Sequence, residues 1–360
     1  MADTRVLPVS GVKYGLKAET SFGVGLDSSG ADSTAYLTQG VVQVQKPTFN
    51  IMRESRLLSG RGTVKNAADT VTNTRGGTVT MPFEMLATPR NLAQHALLVG
   101  QENSQSGSIL HEMEIDGSSN STSIGGTISG GLPHSVNLAY YPNAGEGIKV
   151  CGVVCSDLTI SGDVAANNGM VSISGNYFSG FSNPNSVATS TVLEQTFDGT
   201  WVAPESTYFN VLDFDTRTLD VEGNANQVFI MKAFTFNIAN GVNRVGFDTN
   251  GNAELYALPE YTITGSMTIK YDDLFDYSAG TNVIQDFLDG DTMTLNLICG
   301  AGNDAEGEME ITAEIQYTGD PAQDLSENGV FHTLEFECVK NGNDEAFKLE
   351  VFKNEAITSW

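Results

Sequence analysis

The sequence predicts a mainly β protein built as two tandem β-sandwich or barrel units, each with one short flanking α-helix. Three observations predict it. Nine runs dominated by Thr, Val, Ile and Phe are separated by Gly/Asn/Asp clusters, the pattern of half-buried strands joined by turns. Only two segments combine helical spacing with helix-end signals. The order of elements in the first half recurs in the second, as a duplicated unit would give. A length of 360 residues suits one large domain or two of ordinary size. Hydrophobic residues at 40% and charged residues at 17% can build a core and exclude a disordered chain.

In the first half, VVQVQKPTFNIM brings Thr48-Phe49-Asn50-Ile51 into a strand, and a long polar stretch follows. GGTVTMPFEML predicts a strand over Gly77–Leu86. TPRNLAQHALLVG then predicts a helix, with Thr88 as N-cap, Pro89 at the first helical position, apolar Leu92, Ala93, Ala96 and Leu97 at helical spacing, and Gly100 at the end. A strand pair is expected near Lys149–Ser161 and a last strand over Met170–Ser179. The second half opens on the same tetrapeptide, Thr235-Phe236-Asn237-Ile238, and again passes through a Gly/Asn-rich loop. Strands follow over Tyr261–Tyr271, Met293–Ile298, Met309–Tyr317 and Val330–Val339. The second helix lies between the first two, with Thr281 as N-cap, apolar Val283, Ile284, Phe287 and Leu288, and Gly290 as stop. The offset between halves shrinks from about 187 to about 160 residues, which the Ser/Gly-rich segment 101–148 accounts for as an insertion. The expected units are therefore 1–180 and 181–360, with the linker in SGFSNPNSVATST, residues 179–191.

Charge narrows the function. Lys+Arg is 18 against Asp+Glu 44, a net charge of −26. A tight grip on duplex nucleic acid is excluded, because neutralising phosphates needs a basic face. No run of about 18 apolar residues exists to span a membrane. MADTRVLPVS lacks the apolar stretch of a secretion signal, so a soluble product of a cytoplasm is expected. Residues 1–100 hold ten bases and seven acids, a balance of +3, which leaves −29 for the rest. Five of those bases, Arg53, Arg56, Arg61, Lys65 and Arg75, fall in one Gly/Ser/Thr/Asn-containing stretch with little apolar periodicity. It predicts a long loop or loosely paired hairpin. Such a segment is either a solvated loop or a basic arm that docks on an acidic surface, for which another copy of this chain is the obvious source.

Motifs of chemistry are nearly absent. Cys151 and Cys155 sit four apart in a strand-like run, roughly 13 Å at strand pitch and too far for a disulfide. With Cys299 and Cys338 they are expected as buried thiols. The four histidines His95, His111, His134 and His332 show no ligand spacing. Gly23–Gly30 has neither the spacing of a dinucleotide fingerprint nor a following helix. His111-Glu112 lacks the second zinc ligand, since Ile115 occupies its place. Ser10 and Lys13 have serine–lysine spacing without the partner motifs. Asp248–Asn252 begins like a calcium loop, but Ala253 replaces the turn glycine and Pro259 the bidentate glutamate. Asp272, Asp273 and Asp276 are expected to cap backbone donors. No enzyme activity, metal or cofactor is expected.

YGLKAETSFGVG leads into PTFNIMRESRLLSGRGTVKNAADTVTNTRGGTVTMPFEMLATPRNLAQHALLVG. IKVCGVVCSDLTISGDVAANNGMVSISGNYFSG, AFTFNIANGVNRVGF and LPEYTITGSMTIKYDDLFDY follow. In pattern and order, from about Tyr14 to about Phe352, these segments resemble the tail tube proteins of long-tailed bacteriophages. Segment 101–135, with SSNSTSIGGTISGG, departs from that pattern as a surface excursion. The resemblance implies a structural virion protein, made and assembled in the host cytoplasm, whose sheets join edge to edge into rings around a lumen. It implies rings that stack through long loops, with Arg53, Arg56, Arg61, Lys65 and Arg75 as the candidate stacking contact. A duplicated subunit implies a homotrimeric ring with pseudo-sixfold symmetry, with six chains per ring as the alternative. The implied partners are other copies, the tape measure, terminator and baseplate or tail-tip proteins, and double-stranded DNA passing without tight binding along an acidic wall during genome ejection. The alternative is a two-domain β-sandwich adhesin or receptor-binding module; Phe and Tyr fall mostly within strand runs, where they serve a core better than an exposed binding loop. A secretion-system tube fits less well because such tubes are usually single units, and a capsid protein because no long spine helix is visible.

Overall fold

A computed structural model describes residues 13–18, 35–38, 48–57, 70–100, 102–106, 110–115, 135–143, 146–179, 193–194, 200–203, 205–221, 224–247, 253–257, 261–270, 283–319, 331–341 and 345–353. The elements run β1 (Lys13–Ala18), β2 (Ala35–Thr38), β3 (Thr48–Leu57), β4 (Thr70–Leu86), α1 (Pro89–Val99), β5 (Glu102–Ser106), β6 (Leu110–Ile115), β7 (Val136–Asn143), β8 (Glu146–Asp163) and β9 (Ser172–Ser179). They continue as β10 (Leu193–Glu194), β11 (Thr200–Val202), β12 (Phe214–Val221), β13 (Asn224–Val228), β14 (Met231–Ala239), β15 (Asn243–Phe247), β16 (Ala253–Ala257) and β17 (Thr262–Lys270). The last are α2 (Val283–Asp289), β18 (Met293–Cys299), β19 (Met309–Tyr317), β20 (Phe331–Cys338) and β21 (Phe347–Phe352). The protein is mainly β, and each of the nine predicted runs contains a strand.

One antiparallel sheet forms the spine. Its order is β3-β4-β9-β8-β14-β17-β20-β19. The repeated tetrapeptide holds the same place in both halves of that order: Thr48 on β3 faces Thr80 on β4, and Thr235 on β14 faces Ser266 on β17. β8 and β14 join the halves through seven residue pairs, from Asp157↔Ala239 to Asp163↔Ala233. The N-terminal parts of β8 and β19 leave the spine. β8 pairs there with β7, and β1 and β2 follow in turn. β19 pairs with β18 on one edge and β21 on the other. A register shift between Cys155 and Asp157, together with Gly152 at φ 62°, marks where β8 bends. The departing strands pack back over the spine: Tyr14 on β1 lies 6.2 Å from Tyr177 on β9, and Phe214 on β12 lies 5.4 Å from Phe234 on β14.

Three expectations change. The strand pair near Lys149–Ser161 is one 18-residue bent strand, β8. The segment 101–135 is no surface excursion where it is described, while SSNSTSIGGTISGG lies outside the described residues. The segment supplies β5 and β6, and Met113 and Ile115 are core residues. Its Ser/Gly-rich composition masked the short alternation of LHEMEI, which the structure buries at every second residue. The helices also differ from simple amphipathic covers. α1 has the predicted cap, with Thr88 and Asn91 exchanging side chain–backbone bonds of 3.2 and 2.7 Å, but all eleven of its residues are buried. On α2, Leu288 is exposed, and only Val283 of the predicted apolar stripe is fully buried.

Glycines make room for rings on the inner face of the spine. Phe83 faces Gly175, Phe234 faces Gly162, and Phe336 faces Gly265 across adjacent strands. A Cβ on Gly175 would lie 2.1 Å from the Asp157 carbonyl oxygen and 3.0 Å from Cζ of Phe83. Backbone cannot yield as a side-chain tip can, so Gly175→Ala is expected to cost about 1–3 kcal/mol. Urea unfolding checks this; a loss below about 0.5 kcal/mol, ordinary for a surface site, would contradict it.

The chain's last strand ties to its early strands. β21 pairs with β6 along six residues. Lys348 stands among carboxylates, 2.9 Å from Glu112, 3.3 Å from Glu350 and 3.9 Å from Glu114. Burial pulls Lys348 down, but Glu112 and Glu350 outweigh it and hold the ammonium above its ordinary range. Burial moves Glu350 up despite Lys348, and the neighbouring Glu112 carboxylate adds to the rise by hydrogen bonding and like-charge repulsion. Beyond β21, Lys353 bridges Glu205 and Glu306 at 2.9 and 2.7 Å. The other Glu205 oxygen accepts from the Arg90 amide at 2.8 Å, a carboxylate at the amino end of α1.

Candidate functional site

The outer face of the spine is an organised polar surface that crosses both halves. Strand alternation puts Phe, Ile, Leu and Met on the core side and leaves Ser, Thr, Asn and carboxylates outside. One row crosses six strands through Glu84, Ser174, Thr159, Asn237, Thr264 and Glu337. The next row runs through Ser172, Ser161, Thr235, Ser266 and Glu335. Six strands at ordinary spacing make this face about 24 Å across.

Hydrogen bonds hold these short side chains to one another. Thr159 donates to Asn237 at 3.0 Å, across the seam between the halves. The Ser161 and Ser172 hydroxyls are 3.1 Å apart, and those of Thr268 and Thr333 are 3.0 Å apart. Asn176 donates to both Asp157 oxygens, at 3.1 and 3.0 Å. Glu84, Asp157, Asp163, Glu335 and Glu337 lie on this face, with Lys270 at its edge and the Lys232 ammonium over the Phe331 ring beside it. Chemically, the surface offers hydroxyls and scattered negative charge. It lacks the cation density needed to hold a phosphate backbone.

The spine has two unlike ends. β3 and β4 continue past one of them, since β9 stops at Ser179 opposite Val79 while β3 stays paired to β4 as far as Leu57↔Thr70. The polar stretch is thus a hairpin arm, the second of the two forms the sequence allows. Arg53 and Arg56 are on β3, facing Thr74 and Val71, and Arg75 is on β4 beside the register shift at Ile51/Arg53. Arg61 and Lys65 lie outside the described residues. In the second half, β15 and β16 form a separate hairpin at the equivalent place, between β14 and β17. Charge marks the first arm in the sequence, whereas the NRVGF and AELYA strands of the second are short and near neutral and carry no such mark.

At the opposite end, the turn after β8 holds Asn167, Asn168 and Gly169 at φ 49°, 56° and 78°. Asn210 pins this turn by donating to the Asn168 carbonyl at 3.0 Å, and its Oδ1 accepts from the Leu212 amide at 2.9 Å. The nearby 300–307 loop wraps the Glu308 carboxylate, which accepts from the amides of Ala301, Asn303 and Ala305 at 2.9, 3.2 and 3.0 Å.

The chemistry-bearing residues stay apart. Cys155 and Cys299 are buried free thiols and Cys338 is half-buried and free; burial pushes Cys299 up to about 12. The Cys151 side chain lies outside the described set. His95 is enclosed between the Asn91 carbonyl and the Tyr177 hydroxyl. His111 points to the Lys353 carbonyl at 3.1 Å. Ser10, His134, Asp272, Asp273, Asp276, the 23–30 segment and the 248–252 turn lie outside the described residues. Among the described residues, no group of three or more His, Cys, Asp or Glu could hold a metal ion. No described helix is long and apolar enough to cross a membrane. No family model matches the chain, and no curated protein matches it.

Proposed function

We propose that this chain is a structural subunit of a phage tail tube. It closes edge to edge into rings that stack, and its polar sheet face lines a conduit for double-stranded DNA. The observation that carries this reading is the β8–β14 seam. Two four-strand blocks with the same pairing order, β3-β4-β9-β8 and β14-β17-β20-β19, are joined last strand to first. A head-to-tail contact of this kind, repeated between chains, generates a ring when the rotation closes. It also satisfies the strand edges that a lone subunit would leave open to aggregation. Three chains would place six blocks around the lumen. Each block is one tandem tail-tube-like unit, and the units fall at 1–180 and 181–360.

Hydroxyls and carboxylates suit the wall of such a conduit. Like charges keep phosphates from sticking, so DNA slides. The role requires no catalysis and no cofactor. Its site is the virion tail, assembled in the host cytoplasm, and its partners are further copies and the tail proteins at the two tube ends.

Negative-stain electron microscopy with light scattering tests the reading. Rings or hollow tubes at three chains per ring are expected, and they should retain no duplex DNA at low salt. Six chains per ring would keep the tube and remove the pseudo-hexamer. Saturable DNA retention would remove the conduit wall. A stable monomer would favour a β-sandwich binding module.

A further inference from the structure

The chain's last strand is a second place where the halves meet. β21 lies between β19 of the second half and β6 of the first, apart from the β8–β14 seam of the spine. Its residues Phe347, Leu349, Val351 and Phe352 are buried, and Phe347 is anchored with its ring 5.4 Å from Phe236. The outer row is loaded differently. Register places Glu350 directly between Glu112 on β6 and Glu310 on β19, and like charges opposite one another on neighbouring strands push them apart. Asp304 and Glu308 add to the repulsion at Glu310. Lys348 offsets part of this load through Glu112 and Glu350, two residues nearer the anchored end.

Beyond the row, Lys353 has carboxylates on two sides. Glu205, 11% exposed, lies 2.9 Å away, and Glu306, 50% exposed, lies 2.7 Å away. Glu205 in turn accepts from the Arg90 amide in the first turn of α1. His111, near the start of β6, reaches the Lys353 carbonyl at 3.1 Å. The Phe352 carbonyl accepts from the Gly307 amide at 2.7 Å, and the Phe352 amide donates to the Glu308 carbonyl at 3.0 Å. One residue at the end of the strand thus gathers α1, β6 and the 300–307 loop, three segments far apart in the chain.

We infer that the outer end of β21, Glu350–Lys353, is a strap that opens apart from the spine, with Lys353 as the clasp that holds it shut. The like-charge row supplies a force toward opening. The clasp opposes it with charge-assisted bonds, one of them to a carboxylate nearly closed off from water. Opening stops at the middle of the strand, because Phe347 remains packed on Phe236. Folded proteins open in such contiguous units below global unfolding. An open strap uncovers the edge of β6 at Leu110–Glu112 and releases the Glu205 carboxylate that sits at the amino end of α1. This device goes beyond the tube reading and does not depend on it.

Hydrogen exchange of the full chain, read by mass spectrometry, tests the strap. In the wild type, residues 110–112 and 350–353 are expected to exchange together and faster than residues 157–163 and 233–239 of the spine seam. Lys353→Met should speed both strap segments about tenfold and leave the seam unchanged. Glu310→Gln removes one charge from the row without touching the clasp, and should slow the strap segments about threefold. A merely structural role would give faster exchange in both variants, so the opposite directions identify the device. Strap segments no faster than the seam in the wild type would overturn the inference. So would unchanged strap exchange in Lys353→Met, or an equal rise in the seam. Glu310→Gln that leaves the strap unchanged or faster overturns it too. If Lys353→Met does not fold, Glu306→Gln weakens the clasp at its exposed side and should speed the strap segments about threefold; no change there would equally overturn the inference.

Discussion

Phe236→Ala is expected to destabilise the protein by about 3–5 kcal/mol, a large part of what holds a domain folded. Phe236 is fully buried on β14, the strand that joins the halves. Its ring lies 6.2 Å from Phe234, 5.5 Å from Phe336 and 5.4 Å from Phe347. It therefore ties the spine to β20 within the sheet and to β21 in the layer above. Truncation removes the buried ring and leaves a cavity that rigid strands cannot collapse into. Phe236→Leu keeps most of the volume and is expected to cost about 1–1.5 kcal/mol. Urea or thermal unfolding of both variants checks the pair. A loss below about 1.5 kcal/mol for Phe236→Ala would show that the site closes over the missing ring.

Acid should weaken the fold through His95. Burial lowers this histidine to about 4, although the Asn91 carbonyl pulls the other way. Its Nδ1–H donates to that carbonyl at 2.5 Å, so Nε2 must accept from the Tyr177 hydroxyl. The neutral ring is the form that both bonds require, and the stacked rings of Phe83 and Tyr177 enclose it. Unfolded, the same histidine takes a proton near 6.5. With the folded value depressed, the contribution is complete above about pH 6.5 and disappears as pH falls toward about 4. The loss amounts to about 3 kcal/mol. His95→Gln should flatten that limb of a stability–pH profile. Glu310 and Glu350 sit above their ordinary range and act in the opposite sense, so the wild-type minus variant difference is the quantity to read. An unchanged acid limb would mean that His95 is accessible to protons in the folded chain.

Local pattern made some elements legible. GMVSISGNYFSG and DTMTLNLICG read as strands in the sequence and are strands, β9 and β18, which bury Ile173, Leu295 and Leu297. Thr88, Pro89 and Gly100 bounded α1 correctly because caps act within one helical turn. The basic arm was legible from charge alone, as one of two forms. The shared Thr-Phe-Asn-Ile pointed to a repeated order, and the two tetrapeptides do occupy equivalent places in the spine. β5, β6 and β7 were not legible as core. Their apolar residues are few, and partners far away in the chain, such as β21 for β6, decide their burial.

The mainly β class, the nine strand runs, the first helix and its caps, the acidic balance and the place of the basic stretch are all readable along the chain. Each follows from propensity, capping or formal charge, which act within a few residues. Tertiary structure alone decided that β8 pairs with β14, that the chain's last strand closes on β6, and that polar rows from six strands form one face. It also decided which apolar residues stay outside: Val228 and Leu212 differ little in type from buried Val221 and Leu219. Pairing depends on which distant strand meets an edge, and exposure on what lies above a face. Both are properties of the assembled chain that no short segment carries.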